Sequence, residues 1–152
     1  MSDSPSKRIA WLSDLVTLEI TLWNRVDARL RDEHGLPLAL FWPLYVVGQS
    51  SGESLRVGEV AEAIGLTVGG ASKIVDRIVR AGFLRRESDP TDRRASRVLL
   101  TETGRQILDA AAQTYEAEMA DLLDSALSPK QQELMHRLVR SVLDVARSGE
   151  SV

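Results

Sequence analysis

The chain has 152 residues, 43% of them hydrophobic, which is enough for one folded domain with a buried core. It has no cysteine, which excludes disulfides, thiol nucleophiles and cysteine-based zinc sites. Its two histidines, His34 and His136, lack partners at metal-ligand spacing, so we expect no metal and no cofactor. The net charge is −3, but segment 67–97 carries eight basic and four acidic residues, or +4, and the remainder carries −7. One surface is therefore suited to phosphates.

The ends and the hydropathy of the chain indicate a soluble protein. No segment approaches the run of about 20 apolar residues that spans a bilayer. The start, Met1 to Arg8, is polar and unlike a signal peptide. We therefore expect a cytoplasmic protein with no membrane partner.

The first part of the chain predicts two helices. Apolar residues recur every three or four positions from Ile9 to Arg31, which is typical of a long helix, and Gly35-Leu36-Pro37 ends it. Its apolar sector is wider than a small core needs, so we expect contact with a second chain or another long helix. The apolar stretch 38–48 suggests another helix, which Pro43 is expected to bend or shorten. A Ser50-Ser51-Gly52 loop follows.

Two short helical patterns then follow at helix-turn-helix spacing. They cover 57–64 and 68–81, and Gly65-Leu66 separates them, with Thr67 placed to cap the second. If the apolar positions face inward, the exposed side of the second helix is small and basic, and its residues are Gly69, Gly70, Ser72, Lys73, Asp76, Arg77 and Arg80. Such a surface suits the major groove of DNA. An ordinary helical hairpin with solvated basic residues would show the same pattern.

After Gly82 the pattern is typical of two short strands around a basic loop. The strands are predicted near 83–88 and 97–100, with the turn-rich Asp89-Pro90-Thr91-Asp92 between them. Asp92-Arg93-Arg94 can form a protruding finger whose arginine enters the minor groove, and Asp92 can hold an arginine by a charge-assisted hydrogen bond. A solvated hairpin tip is the alternative, but it leaves two arginines beside a helix-turn-helix unexplained.

The last part of the chain predicts two more helices. The helical period returns at Thr101 and ends near Leu127. Ser128, Pro129 and Gln131 are three independent signals for the start of a final helix, which runs to about residue 148.

Several runs of residues resemble motifs of a known protein family. The run 84–94 (LRRESDPTDRR) and the run 98–104 (VLLTETG) resemble the wing and following helix start of MarR-type (multiple antibiotic resistance) regulators, and 66–82 resembles their recognition helix. The resemblance covers nearly the whole chain. It implies a mainly α fold with a small β-wing. In the single chain 1–152, a winged helix-turn-helix lobe at 38–101 would be flanked by long dimerisation helices at 9–34 and 104–148.

This resemblance implies a transcription regulator, by expectation a repressor, that acts as a homodimer on double-stranded DNA. Such a dimer predicts a pseudo-palindromic operator with half-sites about 10 base pairs apart. Ser72, Lys73 and Arg77 would lie at major-groove or phosphate positions, and Arg94 would enter the minor groove. The predicted DNA-binding residues are Thr67, Val68, Gly69, Gly70, Ser72, Lys73, Arg77, Arg86, Asp92, Arg93 and Arg94. The sequence departs from the family in two places: Gly69-Gly70 stands where polar residues are usual, and Lys73 stands where arginine is common. These departures predict few direct contacts to base edges.

Regulators of this family commonly respond to small aromatic or phenolic ligands in a cleft between the dimerisation helices and the DNA-binding lobe. Others oxidise a cysteine, a route that this sequence excludes. Trp11, His34, Trp42 and Tyr45 fall on segments that the resemblance assigns near the cleft, and they are the candidate effector-binding residues. The alternative is that the tryptophans are core and interface anchors and that His34 is a charge at a helix end.

Two other classes of function were weighed. An enzyme needs a nucleophile with a base, a carboxylate pair in a cleft or a metal, and the sequence offers none of these. A helical protein-interaction module without specific DNA binding is the stronger rival, because the long terminal helices must bind something. The Arg93-Arg94 loop favours the regulator, since a pure interaction module has no need of it.

Overall fold

The fold is mainly helical with a small β-wing, as predicted. The computed structural model describes residues 5–92 and 95–149, and across these ranges the chain forms six α-helices and three β-strands. The helices are α1 (Pro5–His34), α2 (Leu38–Gly48), α3 (Val57–Ile64), α4 (Val68–Arg80), α5 (Glu102–Ala126) and α6 (Pro129–Ser148). The strands are β1 (Ser54–Arg56), β2 (Leu84–Ser88) and β3 (Ser96–Leu100).

The chain divides into two compact units, and the division falls inside α5, between Tyr115 and Glu116. The first unit contains the hydrophobic core. Apolar side chains from α1 to α5 and from the sheet are buried there, and the largest of them are Leu30, Leu36, Leu44, Val47, Val60, Val75, Ile78, Leu84 and Val98. This core lies under the helix-turn-helix and therefore fixes its position.

Helix α1 is buried only toward its C-terminal end. Val26 and Leu30 are almost fully buried, whereas the apolar side chains from Ile9 to Ile20 are exposed. Gly35, at φ +63°, ends the helix, and the backbone N–H of Leu36 reaches back to the carbonyl of Leu30. The Asp27 carboxylate accepts from the N–H of Leu38 at 2.7 Å and so fixes the start of α2.

Helix α2 continues through Pro43, so the prediction that this proline shortens the helix was wrong. Pro43 itself is buried in the core, and its missing N–H leaves the carbonyl of Ala39 without its usual helical donor. Ala39 lies on the exposed side of the helix, where water can replace the donor. The packing of Leu40, Phe41 and Leu44 on the other side holds the helix together.

The sheet is antiparallel with the order β1-β3-β2. Its central strand is β3, which pairs with β2 from Leu84↔Leu100 to Ser88↔Ser96 and with β1 from Ser54↔Leu99 to Arg56↔Arg97. The sequence predicted β2 and β3, the two strands of the wing, but not β1, which lies in the stretch between the loop at 50–52 and the predicted helix at 57–64. A strand of three residues, one of them apolar, is too short to show an alternating pattern.

The start of α5 is packed tightly against the end of α4. The Thr101 hydroxyl accepts from the N–H of Gly104 at 2.9 Å and donates to the carbonyl of Gly82 at 2.6 Å. Gly104 is buried, and a Cβ added there would overlap the carbonyl of Phe83. Glycine is therefore required at this position by contact rather than by backbone conformation.

The second unit pairs the end of α5 with α6. The predicted start of α6 is confirmed, because the side-chain oxygen of Gln131 accepts from both the N–H and the hydroxyl of Ser128, each at 2.9 Å. Gln132 donates to Asp124 at 2.9 Å and to the carbonyl of Leu127 at 3.1 Å, which closes the turn. Within this chain α6 buries no residue, and its exposed large apolar side chains are Leu134, Met135, Leu138, Val139, Val142, Leu143 and Val145.

Candidate nucleic-acid interface

The turn between α3 and α4 is a tight helix-turn-helix connection. Gly65 takes the left-handed conformation at φ +69°, and the N–H of Leu66 donates to the carbonyl of Ala61 at 2.9 Å. Ala61 is buried beneath the turn, as its small side chain allows. Thr67 caps α4 as predicted, since its hydroxyl accepts from the N–H of Gly70 at 3.1 Å. The start of α4 is therefore fixed in position.

The inward and outward sides of α4 are those that the sequence predicted. Ala71, Val75 and Ile78 are fully buried, while Lys73 and Arg77 are exposed. Neither Lys73 nor Arg77 makes a side-chain hydrogen bond or an ion pair with any residue that the structure describes. Both cations are therefore available to a ligand outside the chain.

Arg86 of β2 is joined to α4. Its guanidinium lies 2.6 Å from the Asp76 carboxylate and also donates to the Ser96 hydroxyl at 3.1 Å. The ion pair connects the wing to the exposed side of α4 and partly neutralises Arg86. This predicted DNA-binding residue thus already has an anionic partner within the chain.

The loop after β2 is organised by a buried carboxylate, that of Asp89, which is only 2% exposed. One of its oxygens accepts from the hydroxyl of Thr91 at 2.6 Å and from the N–H groups of Thr91 and Asp92 at 2.8 and 3.2 Å. The other accepts from Nε of Arg56 at 2.7 Å and lies 3.9 Å from Arg97. These bonds fix the loop to the sheet, and we call Asp89, Arg56, Arg97 and Thr91 the wing clamp.

The electrostatics of the wing clamp follow from the strand register. Arg56 and Arg97 are paired directly opposite each other on β1 and β3, where two like charges repel. Asp89 lies against both guanidinium groups and offsets that repulsion. The hydrogen bond from Arg56, with those from Thr91, holds the pKa of Asp89 well below its usual range, and the same bond raises the pKa of Arg56. The carboxylate is thus ionised throughout the neutral range.

The wing loop closes above this clamp. The N–H of Asp89 donates to the carbonyl of Ala95 at 3.0 Å, and the N–H of Ala95 donates to the carbonyl of Asp92 at 3.0 Å. Arg93 and Arg94, the predicted tip residues, lie outside the described residues. We expected Asp92 to hold an arginine by a hydrogen bond. The Asp89 carboxylate contacts Arg56 of β1 directly, and Asp92 adds a longer-range attraction to Arg56.

Sequence reasoning missed the wing clamp. Asp89 looked like an ordinary turn residue, and Arg56 lay between the predicted loop and the next predicted helix, where no element was assigned. One signal was present: an aspartate two residues before a threonine, with a proline between them, is typical of a turn in which the carboxylate accepts from the second N–H. The long-range partner Arg56, 33 residues away, gave no local signal.

The candidate effector residues are brought together only in part. The rings of Trp42 and Tyr45 stack with centroids 5.7 Å apart, and Phe41 continues the stack from Tyr45 at 5.9 Å to Tyr115 at 5.5 Å. Trp42 remains 40% exposed. Trp11 is 52% exposed on α1 and makes no ring contact with any described residue.

His34 lies in a separate polar network. Its Nε2 is 2.8 Å from the hydroxyl of Thr114, which donates to the Glu33 carboxylate at 2.7 Å. Because that hydroxyl has one proton, it must accept from His34, and Nε2 carries a hydrogen. The network ties the end of α1 to α5 within the first unit.

The described residues form neither a metal site nor a membrane-spanning helix. Within residues 5–92 and 95–149 no three histidine, aspartate or glutamate side chains are grouped so that they could hold a metal ion. No helix in the same ranges combines the length and the apolar character needed to cross a membrane.

A helix-turn-helix followed by a β-hairpin and closed by a third strand defines a winged helix-turn-helix protein. The MarR family model matches residues 34–95. The transcriptional regulator HosA of Escherichia coli O111:H- is 34% identical over 116 residues, which cover 75% of this chain and 84% of that protein. HosA of E. coli O157:H7 is 33% identical over 136 residues, covering 82% and 99%. The chain belongs to the MarR family of transcriptional regulators, and it is therefore a regulator rather than an enzyme.

Solved structures of the family have the same fold. Sco3205, a MarR family regulator from Streptomyces coelicolor in complex with DNA, superposes with a TM-score of 0.83 at 24% identity, covering 95% of this chain and 89% of that one. A mutant MarR from E. coli complexed with operator DNA gives a TM-score of 0.79 at 20% identity, covering 93% and 99%.

Proposed function

We propose that the protein is a sequence-specific repressor that binds double-stranded DNA as a homodimer at a pseudo-palindromic operator. Helix α4 enters the major groove, and Arg94 of the wing enters the minor groove. The observation that carries this proposal is the exposed side of α4, where Lys73 and Arg77 have no partner in the described chain beside a wing fixed by a buried carboxylate. A regulator of this kind works where the chromosome is, in the cytoplasm.

The charge distribution supports this orientation. Segment 67–97, which contains α4 and the wing, carries +4 in a chain of net charge −3. A duplex presents closely spaced phosphates, so the part of the protein that approaches it is the part with excess positive charge. The two relatives of known structure named above were each solved with DNA, which is consistent with the same partner here.

The homodimer is supported by the apolar surface of the terminal helices. The side chains of Ile9 and Leu12 on α1 are 71% and 57% exposed, and Leu138 and Val142 on α6 are 58% and 53% exposed. Rows of large apolar side chains on two long helices are costly to leave in water. A second copy offers the same rows, so an isologous contact buries both at once.

Release by a small aromatic or phenolic effector is the ligand-dependent part of the proposal. The stacked rings of Trp42 and Tyr45, with Trp42 partly exposed, offer a face on which such a ligand can stack. Trp11 and His34 are the other two residues of the proposed site. Titration of salicylate into the protein–DNA complex tests it: the expected result is lower DNA affinity in the wild type and an unchanged affinity in Trp42→Ala. An unchanged wild-type affinity at saturation would exclude release by this phenolic ligand.

The proposal as a whole is tested by fluorescence anisotropy. Purified protein is titrated onto labelled duplexes from its own upstream region, or onto sequences selected from a random library, at several salt concentrations. Selective, salt-sensitive binding is expected, and Arg94→Ala should weaken it about fivefold to a hundredfold. Lys130→Ala removes the same charge from the start of α6, outside segment 67–97, and should leave the affinity unchanged.

The rival function, a helical interaction module without specific DNA binding, predicts the opposite result. No duplex would be selected, and Arg94→Ala would have no effect on any binding partner. Failure of the selection across a whole random library would overturn the repressor proposal in favour of this module.

A further inference from the structure

The first turn of α4 carries an apolar surface that the proposed function has not used. Leu66 and Val68 are 46% and 59% exposed, although both are large aliphatic residues. Single exposed apolar residues are common on protein surfaces and need no explanation. These two, however, lie at the start of the helix whose exposed side also carries Lys73 and Arg77.

Thr67 lies between them, and its hydroxyl accepts from the N–H of Gly70 at 3.1 Å. Gly69 and Gly70 follow Val68, and a Cβ added at Gly69 would have no atom within 4 Å, so its surroundings are open. The Cβ of Leu66 lies 4.0 Å from the position of a Cβ on Gly70, which places Leu66 against the second glycine. The first turn therefore presents aliphatic groups and bare backbone, and the Thr67 hydroxyl beside it is engaged as the cap of the helix.

One apolar group is available in the major groove. Each base pair shows hydrogen-bonding groups there, and thymine also shows its 5-methyl group, which aliphatic side chains recognise by contact. We infer that Val68, with Leu66 beside it, reads the 5-methyl group of a thymine in each operator half-site. This inference rests on the proposed function, because it requires α4 in the major groove.

The charges of the helix favour DNA over a second copy of the chain as the occupant of this surface. Lys73 and Arg77 lie within the following two turns and have no partner among the described residues, so a ligand covering the first turn meets two unpaired cations next to it. Phosphates satisfy them, whereas the apolar rows of another copy do not. The long apolar rows of α1 and α6 are the surfaces suited to self-association.

The test removes the methyl group alone. An operator is first obtained by selection with the full-length wild-type protein, and each thymine is then replaced in turn by deoxyuridine, which differs only in lacking the 5-methyl. The affinities of the wild type and of Val68→Ala are measured for every duplex. At one thymine position, replacement in a single half-site should lower the wild-type affinity about fourfold, and replacement in both half-sites should lower it about fifteenfold.

The Val68→Ala variant distinguishes methyl recognition by Val68 from a general effect of deoxyuridine on the duplex. Val68→Ala should bind the original operator more weakly and should no longer distinguish thymine from deoxyuridine at that position. Lys130→Ala, which trims an exposed side chain at the start of α6, should retain the full wild-type sensitivity. Val68→Ser serves as a second variant if the alanine variant shows an altered circular dichroism spectrum or melting temperature.

The outcomes are distinguishable. A thymine whose methyl matters to the wild type and not to Val68→Ala supports the inference. A wild type indifferent to every replacement, or a variant that keeps the same sensitivity, overturns it while leaving the proposed function intact. If the wild type selects no sequence at all, the proposed function itself fails at the first step.

Discussion

The Nε of Arg56 donates to Oδ2 of Asp89 at 2.7 Å, and this bond joins β1, which precedes the helix-turn-helix, to the wing loop that follows it. The Asp89 side chain is inaccessible, whereas that of Arg56 is 43% exposed. Three hydrogen bonds from two residues of its own loop, together with arginines of two strands, fix the position of the carboxylate. The described residues of the wing loop, 89–92 and 95, are therefore preorganised before any ligand arrives.

Replacing Asp89 by asparagine tests this preorganisation. The variant gains one unit of positive charge, which by electrostatics alone should strengthen binding to DNA. We nevertheless expect weaker binding, because a wing that is not held in place must be ordered when the complex forms. The loss of affinity should not exceed the loss caused by Arg94→Ala. Anisotropy on the selected operator measures both variants and their double mutant, whose loss should be close to that of Arg94→Ala alone.

The matched control for the other partner of the clamp is Arg85. Arg56→Ala and Arg85→Ala remove the same charge, but Arg85 pairs with Glu87 on its own strand. Arg56→Ala should weaken operator binding more than Arg85→Ala does. Equal losses in the two variants would mean that only the net charge matters and that the clamp has no positioning role.

The depressed pKa of Asp89 predicts how stability depends on pH. A carboxyl whose pKa is lower in the folded than in the unfolded state stabilises the fold above its unfolded pKa, about 3.9 for aspartate, and this contribution is lost as the pH falls through the folded value. The free energy of unfolding should therefore decrease more steeply from about pH 5 to about pH 3 in the wild type than in Asp89→Asn. Urea denaturation at each pH measures this, and parallel curves would contradict the role of the ionised carboxylate.

Lys73 and Arg86 should contribute differently to the salt dependence of DNA binding. Lys73→Ala should make the slope of log affinity against log salt shallower by about one, since an unpaired cation is lost. Arg86→Ala should change the slope by less, because Arg86 is already paired with Asp76 at 2.6 Å. A larger change for Arg86→Ala would show that the ion pair opens when DNA binds.

Gly104 is expected to be intolerant of substitution. A Cβ there would overlap the Phe83 carbonyl and approach the Leu100 side chain, so Gly104→Ala should lower the free energy of unfolding by about 1–3 kcal/mol or more. Gly58→Ala is the matched control, because that helical glycine is exposed with open space around it, and it should stabilise the protein by about 0.4–1 kcal/mol. Urea denaturation of both variants checks the difference, and equal effects would contradict the packing argument.

The exposed row of α6 predicts the effect of a charge on assembly. Leu138→Glu places a carboxylate at a position that is 58% exposed in the single chain and apolar in the proposed dimer interface. The variant should remain helical and sediment as a monomer at concentrations where the wild type is a dimer. Lys130→Glu, at the start of the same helix, should not change the sedimentation. A Leu138→Glu dimer of wild-type stability would exclude this row from the interface.

The helices of this protein were largely predictable because their signals are local. The three-to-four spacing of apolar residues, the threonine cap of α4 and the Ser128–Gln131 start of α6 all lie within a few positions of the structure they specify. The inward side of α4 followed from the same spacing, and its buried residues are those that were expected.

What the sequence did not reveal depends on partners distant in the chain. Strand β1 exists because its residues pair with β3, about forty positions later, and its own composition has no strand pattern. Asp89 is buried because Arg56 and Arg97 converge on it from two strands. Pro43 does not end α2 because the core packing of its neighbours outweighs one lost hydrogen bond. Local propensity contains no information about any of these three contacts.

The pairing of β1 with β3 closes residues 54–99 into a ring that contains the whole helix-turn-helix and the wing. The β1–β3 pairing therefore opposes separate displacement of α4 and the wing. A structural change elsewhere in the protein would therefore move α4 and the wing together. In the proposed dimer, DNA binding would then depend on the distance and the angle between the two copies of α4 and the wing. These must match the helical repeat of the duplex.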